Sequence, residues 1–418
     1  MRRFAALLAA VLLIASVASP AAAAKPTKGV TVGSYNGGDE AAGFGAMMDG
    51  CTQSTGVSTV INTYDHTSFQ DNIQAYLQGQ PDTIFTWSAG QRMRFFASQG
   101  LLTPINDVWA KVSINYTAGL KAASTGADGN RYLVPMVDYP WVVIYRKSLF
   151  AEKGYTVPAT LSDFVALASR MQADGLVSLA FGDADGWEAM GTFDILDMRM
   201  NGYQFHMDLM AGNAKWTDPR VKAVFEQWAQ LLPYFQTDPL NRTWQGGAAS
   251  LIDGTAGMYF LGTFAINATS DPAVRDDLAM FPFPLFGNRW DSEKAVDAPI
   301  DGLALSTYGD NLGGAKKLLA CVGTGQAQLA FLASNPAYVA AAKNADTSGY
   351  TPYQQQMAQI INSSNRVAQF LDRDSRPDFS VGWSGMPGYL ASFLSDPNQD
   401  LDAYLGSIQG FWDSLPPQ

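Results

Sequence analysis

The sequence predicts an α/β protein built as two lobes, and three observations support this prediction. The chain has 418 residues, more than one hydrophobic core usually organises. Short apolar stretches typical of strands are separated by helical stretches, which indicates a parallel sheet with helices on both faces. The pattern changes near residues 132–145, where two short apolar strands flank Val137-Asp138-Tyr139-Pro140. Such a break suits a hinge or a crossing between lobes.

The first α/β region is predicted from the alternation of apolar residues along the chain. A first strand is followed by a Gly-rich turn and by a helix that runs to about Cys51. A single helix with one apolar face then separates two further strands. The predicted bounds are a strand at 30–35, a strand at 57–63, a helix at 67–77 and a buried strand at 83–87.

A second α/β region follows the break. Asp218 is the predicted N-cap of one of its helices, with Pro219 at the first helical position. The stretch from Tyr350 onward is mostly helical, with an aromatic loop around Trp383. The predicted bounds are helices at 160–173, 187–200, 218–232 and 314–323, and strands at 178–181, 257–260, 278–282 and 301–306.

The N-terminus predicts export. Arg2 and Arg3 precede an apolar stretch at residues 4–17, and Ala22-Ala23-Ala24 follow Pro20. This is the pattern of a cleaved secretory signal over residues 1–24. No later run of about 18 apolar residues predicts a spanning helix.

The two cysteines, Cys51 and Cys321, leave two interpretations open. Export permits a disulfide between them, and the alternative is a pair of buried free thiols. Neither these residues nor His66 and His206 have companions at the spacing of a zinc site. No metal is therefore expected.

Catalytic and cofactor motifs are absent from the sequence. No phosphate-binding or dinucleotide-binding Gly pattern occurs, so no cofactor is expected. The stretch from Gly382 to Met386 lacks the final Gly of a serine-hydrolase elbow. A formal net charge of -11 disfavours nucleic acid as a partner. These absences predict that the chain is not an enzyme, although a glycoside hydrolase or lyase with paired carboxylates stays an alternative.

Aromatic residues beside short polar residues point instead to a sugar. Trp and Tyr rings cover the apolar C–H faces of a sugar, while carboxylates and Arg bond its hydroxyls. Such pairs recur in loops at Trp87-Ser88, Asp138-Tyr139-Pro140-Trp141, Asp185-Gly186-Trp187 and Trp383-Ser384.

Four segments resemble the extracellular carbohydrate-binding proteins of ABC importers, relatives of the maltose- and glucose-binding proteins. Their order and spacing carry the resemblance, which covers nearly all of the chain after residue 24. The segments are residues 132–160 with Tyr132-Leu133-Val134-Pro135; residues 186–219 with Gly186-Trp187 and Trp216-Thr217-Asp218-Pro219; Gly257-Met258-Tyr259 with Gly262; and Ala298-Pro299-Ile300-Asp301-Gly302 with the helix that follows.

The resemblance implies a two-lobed periplasmic-binding-protein fold of the type II kind, with hinge strands and a ligand cleft between the lobes. It implies one lobe at 25–137 plus 299–348 and a second at 138–298 plus 349–418. It also implies a mono- or oligosaccharide ligand, a membrane permease as partner and a monomeric chain; a binder of another small solute is the alternative. The absence of an anchoring Cys near the cleavage site favours the periplasm over a cell-surface or extracellular location.

Ten residues are the candidate ligand contacts. They are Tyr35, Glu40, His66, Trp87, Asp138, Trp187, Asp301, Asp372, Arg373 and Trp383.

Structural interpretations stand beside these candidates. Glu40 follows the first strand and either binds sugar or complements a helix dipole. Trp87 ends a buried strand and either stacks on ligand or packs in the core. Asp138 is a ligand group or caps a turn, and Asp301 is a ligand group or forms an Asx turn.

The remaining candidates divide in the same way. Asp372 and Arg373 line the pocket or pair with each other on the surface. Trp383 stacks on sugar or closes a helix–loop core. His66, beside Asp65, is the candidate for which a purely structural role is favoured.

Overall fold

The computed structural model describes residues 29–416, and the predicted signal at 1–24 lies outside them. Twelve strands occur in the described part of the chain. They are β1 (Val30–Ser34), β2 (Thr59–Thr63), β3 (Ile84–Ser88), β4 (Leu133–Asp138), β5 (Trp141–Arg146), β6 (Val177–Ala180), β7 (Ala256–Gly262), β8 (Leu278–Phe281), β9 (Val296–Asp297), β10 (Ile300–Leu305), β11 (Val339–Ala340) and β12 (Val367–Ala368).

The helices surround these strands and carry most of the remaining residues. They are α1 (Ala41–Thr55), α2 (His66–Asp71), α3 (Ile73–Gln78), α4 (Gln91–Ser98), α5 (Asn106–Val112), α6 (Ala118–Ala123), α7 (Lys147–Lys153), α8 (Leu161–Ala173), α9 (Glu188–Asn201), α10 (Tyr203–Met210), α11 (Pro219–Leu231), α12 (Trp244–Ile252), α13 (Pro272–Asp277), α14 (Leu312–Val322), α15 (Gly325–Leu332), α16 (Pro352–Ser363), α17 (Leu371–Asp374), α18 (Pro377–Ser380), α19 (Met386–Ser395) and α20 (Leu401–Ser414). Seven short 3-10 turns lie at Gly38–Glu40, Ser113–Asn115, Leu232–Tyr234, Pro239–Asn241, Thr263–Ala268, Arg289–Glu293 and Thr347–Gly349.

The helix starts follow their capping residues. Asp218 accepts a hydrogen bond from the Arg220 N–H, and Pro219 is the first residue of α11, as predicted. Thr160 and Asp163 form a reciprocal capping box at the start of α8. The single helix predicted at 67–77 is instead α2 and α3, separated at Asn72. The Asn72 side chain donates to the Ser68 carbonyl, which competes with helical continuation.

Two larger sheets divide the strands. The six-stranded sheet has the order β11-β4-β10-β3-β1-β2, and the four-stranded sheet has the order β6-β7-β5-β8. Strands β1, β2 and β3 are parallel, as predicted, but β10 lies between β3 and β4 and is antiparallel to both. Strand β10 runs against its neighbours because it enters this sheet from the other half of the molecule.

The chain passes between the two halves three times. Tyr139-Pro140 joins β4 to β5, and Ala298-Pro299 joins β9 to β10. The third passage follows β11 and leads to α16, whose Gln356 side chain bonds the backbone of Met280 in β8. No Gly/Ser-rich linker separates the halves. The first two crossings join a strand of one half directly to a strand of the other.

A disulfide joins Cys51 in α1 to Cys321 in α14, with an S–S distance of 2.06 Å. Of the two interpretations left open by the sequence, the bond is therefore the one observed. It links two helices beside the six-stranded sheet across 270 residues of chain. Within residues 29–416 no helix is long and apolar enough to cross a membrane.

Candidate functional site

A cleft of about 770 Å³ opens between the two halves of the molecule. This volume falls within the range of small-molecule sites. Its lining comes from the residue after β1 (Tyr35), the start of β5 (Trp141), the start of β10 (Asp301), the residue before α9 (Trp187) and the segment around α17. Residues from both halves therefore contribute to one site.

A chain of ion pairs forms one wall of the cleft. Arg373 Nη1 lies 2.7 Å from Asp301 Oδ1, and Arg373 Nε lies 3.7 Å from Asp372 Oδ1. Asp372 Oδ2 in turn lies 3.2 Å from Arg92 Nη1. Arg373 Nη2 also donates to the Tyr139 hydroxyl at 2.9 Å. The alternating charges hold one another in place before any ligand binds.

The guanidinium of Arg373 is the centre of this arrangement. Its burial opposes the charged form, but Asp301, Tyr139 and Asp372 outweigh that effect and raise the pKa of Arg373 above its ordinary value. Among the described residues, Asp372 Oδ1 and Arg373 Nε have no hydrogen-bond partner. The two atoms face each other at 3.7 Å, which is longer than a hydrogen bond.

Strand geometry explains why Asp301 reaches the cleft. Asp301 pairs with Ser88 in β3, and the register against β4 shifts between Asp301 and Gly302. A Cβ on Gly302 would lie 2.2 Å from the Val134 carbonyl oxygen. Glycine is therefore required beside the irregularity, which gives a physical reason for the Asp-Gly pair singled out in the sequence.

Glu40, Tyr35 and His66 extend this wall. Glu40 accepts from the Asn36 side chain at 2.8 Å and from the Tyr338 hydroxyl. The Tyr35 and His66 rings stack with centroids 4.7 Å apart. The name polar wall is used below for Glu40, His66, Arg92, Asp301, Asp372 and Arg373.

Aromatic rings line the rest of the cleft. Trp141 and Trp187 meet edge to face at 6.2 Å, and Trp187 contacts Phe264 at 5.9 Å. Trp141 also stacks on Phe370 at 4.7 Å. The name aromatic wall is used for Trp141, Trp187, Trp244, Phe264 and Phe370, which all line the cleft.

Glycines make room for the aromatic wall. A Cβ on Gly191 in α9 would lie 2.4 Å from the Trp141 ring. Gly186, at φ 78°, turns the chain into α9 and places Trp187 immediately before the first helical residue. The Asp183 carboxylate fixes the same turn by accepting from the Ala189 N–H at 2.9 Å.

Seven of the predicted contacts meet in this cleft: Tyr35, Glu40, His66, Trp187, Asp301, Asp372 and Arg373. Their contact with a ligand stays a prediction. The other three, Trp87, Asp138 and Trp383, lie elsewhere in the described structure.

Each of these three has a different environment. Trp87 is 1% exposed and packs beneath the polar wall, with the Arg92 guanidinium 5.2 Å from its ring. Asp138 ends β4, and burial raises its pKa to about 8. Trp383 is 56% exposed and lines a separate shallow groove beside Tyr389. Its ring meets Gly186 at the edge of the cleft.

Several cleft residues were absent from the sequence-based set. Arg92 lies on a short helix after the Gly90 turn, and nothing in its local sequence separates it from a surface Arg. Trp141 and Tyr139 lie in the aromatic–polar stretch at 138–141, but neither was among the ten predicted contacts. Phe264 and Phe370 become neighbours only through the fold.

The chain matches the family model of bacterial extracellular solute-binding proteins over residues 37–335. It belongs to that family. The resemblance stated from the sequence is thereby confirmed.

Curated relatives support the same assignment. An uncharacterized extracellular-binding protein of an ABC transporter from Pyrococcus horikoshii is 26% identical over 294 residues, covering 69% of this chain and 64% of that protein. The alpha-glucosides-binding periplasmic protein AglE of Rhizobium meliloti is 26% identical over 208 residues, covering 47% of this chain and 45% of AglE. The alignments thus span less than two thirds of these relatives' own lengths.

Solved structures match over the full length of the described fold. The bacterial solute receptor AcbH has a TM-score of 0.89 at 42% identity, with 92% of this chain and 98% of AcbH covered. AcbH is described as having an exclusive preference for β-D-galactopyranose. The Thermus thermophilus maltotriose-binding protein shares the fold, with a TM-score of 0.70 at 15% identity over 91% of this chain and 98% of that one. The predicted two-lobed solute-binding fold is confirmed.

Proposed function

We propose that this chain is the sugar-binding component of an ABC importer and that its cleft binds a pyranose, with D-galactopyranose as the first candidate. One observation carries the proposal: a single cleft joins the ion-paired polar wall to the aromatic wall. A pyranose presents the matching surfaces, an apolar C–H face and a ring of hydroxyls. The 42% identity to AcbH over 92% of the chain supports galactose as the first sugar to test.

The site supports binding without chemistry. Asp301 and Asp372 are each ion-paired with an Arg, and carboxylates held in this way suit the acceptance of hydrogen bonds from sugar hydroxyls. No group of three or more His, Cys, Asp or Glu within residues 29–416 could hold a metal ion. The family consists of receptors, and we propose that this chain likewise turns over no glycoside.

Calorimetric titration with D-galactose and D-glucose tests the ligand. These sugars differ only in the configuration at C4, so each is a matched control for the other. We expect saturable one-to-one binding of D-galactose and weaker binding of D-glucose. The proposal is wrong if neither these sugars nor an α-glucoside produces heat while a peptide or another solute does. Release of nitrophenol from a nitrophenyl galactoside would contradict the receptor role.

We further propose that the lobes, 25–137 plus 299–348 and 138–298 plus 349–418, close on the sugar about the passages at 139–140 and 298–299. The closed surface is what a membrane permease would recognise. The same proposal includes three further points: the chain is exported to the periplasm, it is a monomer, and it does not bind nucleic acid. The formal net charge of -11 disfavours nucleic acid as a partner. Small-angle scattering should show a smaller radius of gyration with galactose and a monomer's mass throughout.

A further inference from the structure

A short segment supplies three of the cleft residues although it has little structure of its own. The name recognition segment is used for residues 369–374, which include Phe370, Asp372 and Arg373. Its helix, α17, has only four residues. One helical turn has no stability in isolation because nucleation fixes several dihedral angles for one hydrogen bond. Contacts from other elements must therefore hold these side chains in place.

The backbone of the recognition segment is strained at its start. Phe370 has φ 145° and ψ 148°, a region that only glycine adopts readily. The Phe370 ring nevertheless stacks on Trp141 in the aromatic wall. A strained conformation of this kind persists only where the surroundings determine it more strongly than the local backbone does.

Two carboxyl groups bond the strained backbone. Asp374, within the segment, accepts from the Gln369 N–H at 2.6 Å. Asp194, which lies in α9 and is fully buried, accepts from the Leu371 N–H at 2.7 Å. Asp194 is thus the side chain that ties the start of α17 to α9, and it does not line the cleft.

Asp194 has its own buried surroundings. His206 in α10 lies with Nε2 3.8 Å from Asp194 Oδ1 and Nδ1 3.0 Å from Asp197 Oδ2. Burial and the nearby Asp297 raise the pKa of Asp194 well above its usual range. An asparagine amide has the same shape, and its oxygen can accept the same hydrogen bond from the Leu371 N–H.

We propose that Asp194 is a positioning residue for ligand recognition: it holds the Leu371 N–H and thereby fixes Phe370, Asp372 and Arg373 at the cleft. The inference rests on the proposed sugar-binding function. It adds a residue that touches no ligand but determines the shape of both walls.

Three variants test this inference through the Kd for D-galactose and the thermal midpoint. Asp194→Leu keeps the branched shape, with larger end groups, but removes the acceptor, so we expect binding about tenfold weaker or more. Asp194→Asn keeps an acceptor and should bind within about threefold of the wild type. Leu318→Ala, in a fully buried position of α14, lowers stability away from the segment and should leave Kd unchanged. Hydrogen exchange of peptides covering 369–374 should rise only in Asp194→Leu.

The outcomes separate this inference from the proposed function. A wild-type protein that binds no sugar overturns the proposed function itself. A wild-type protein that binds galactose, together with an Asp194→Leu variant of unchanged Kd and unchanged exchange at 369–374, overturns the positioning role. An equal loss of galactose affinity in Asp194→Leu and Asp194→Asn also overturns it. The acceptor that Asn keeps from the wild type would then make no difference to binding. Asp194→Ala replaces the Leu variant if that variant does not fold.

Discussion

The two walls of the cleft are stabilised by different forces. The polar wall is organised by ion pairs, with Arg373 between Asp301 at 2.7 Å and Asp372 at 3.7 Å. The aromatic wall consists of rings packed edge to face and supported by glycines behind them. Charged hydrogen bonds depend steeply on distance and angle, whereas burial of apolar area has little directionality.

This difference assigns different tasks to the walls. The polar wall can distinguish the orientation of one hydroxyl from another, because a misplaced hydroxyl leaves a buried charge without its partner. The aromatic wall contributes affinity for any pyranose that presents a C–H face. We therefore expect variants of the polar wall to change selectivity and stability, and variants of the aromatic wall to change affinity alone.

Removing Arg373 should give the largest effect. Arg373→Met leaves Asp301 and Asp372 without their common partner, and breaking a buried pair in this way costs about 3–5 kcal/mol of folding stability. Galactose binding should fall by about a hundredfold or more, because the guanidinium at the centre of the polar wall is lost and Asp301 and Asp372 are no longer held by it. Calorimetry and thermal denaturation measure the two effects.

Two control variants show whether that result is specific to the planar guanidinium of Arg373. Arg373→Lys keeps the charge but not the planar fork, so it should fold and still bind poorly. Arg220→Met removes an exposed Arg paired with Asp218 and should change neither quantity appreciably. If Arg373→Met bound galactose as the wild type does, the polar wall would have no part in recognition.

Truncating Trp187 should have an intermediate effect. Trp187→Ala removes a half-buried ring of the aromatic wall, and we expect galactose binding about tenfold weaker. Glucose binding should weaken by the same factor, so the ratio of the two Kd values stays constant. Trp290→Ala is the matched control, because that half-buried Trp does not line the cleft. A change in the galactose-to-glucose ratio in Trp187→Ala would contradict the division of tasks between the walls.

The two walls also differ in how far sequence could predict them. The position of Asp301 could be predicted from the sequence because an Asp-Gly pair beside an apolar strand is a local pattern. The irregularity in β10 explains why Gly follows Asp301. Trp187 could also be predicted from the sequence, because it follows a Gly-containing acidic loop at the start of a helix. The alternation of strands and helices likewise predicted two α/β regions, since periodicity is a local property.

Other features depend on contacts between distant residues. Trp87 and Trp141 both belong to apolar strands, yet one is in the core and the other lines the cleft. The place of each strand in its sheet decides whether its Trp is buried in the core or lines the cleft. No local sequence pattern predicts that place. The antiparallel insertion of β10, the pairing of Arg92 with Asp372, and the bond from Asp194 to Leu371 each join residues over 100 positions apart.

Asp138, which lies outside the cleft, should give the smallest effect and provides a comparison with Asp301 of the polar wall. Unlike Asp301 it has no Arg within salt-bridge distance in the described structure, and burial raises its pKa to about 8. The folded protein therefore binds a proton that the unfolded chain releases near pH 4, and Asp138 lowers stability progressively as pH rises from about 4 to about 8. Asp138→Asn removes this cost. We expect it to raise stability by about 1 kcal/mol at pH 8 and by less at pH 5, with galactose affinity unchanged. Thermal denaturation at both pH values measures the difference. A variant less stable than the wild type at pH 8 would contradict this prediction, because the ionised Asp138 carboxylate would then stabilise the folded protein.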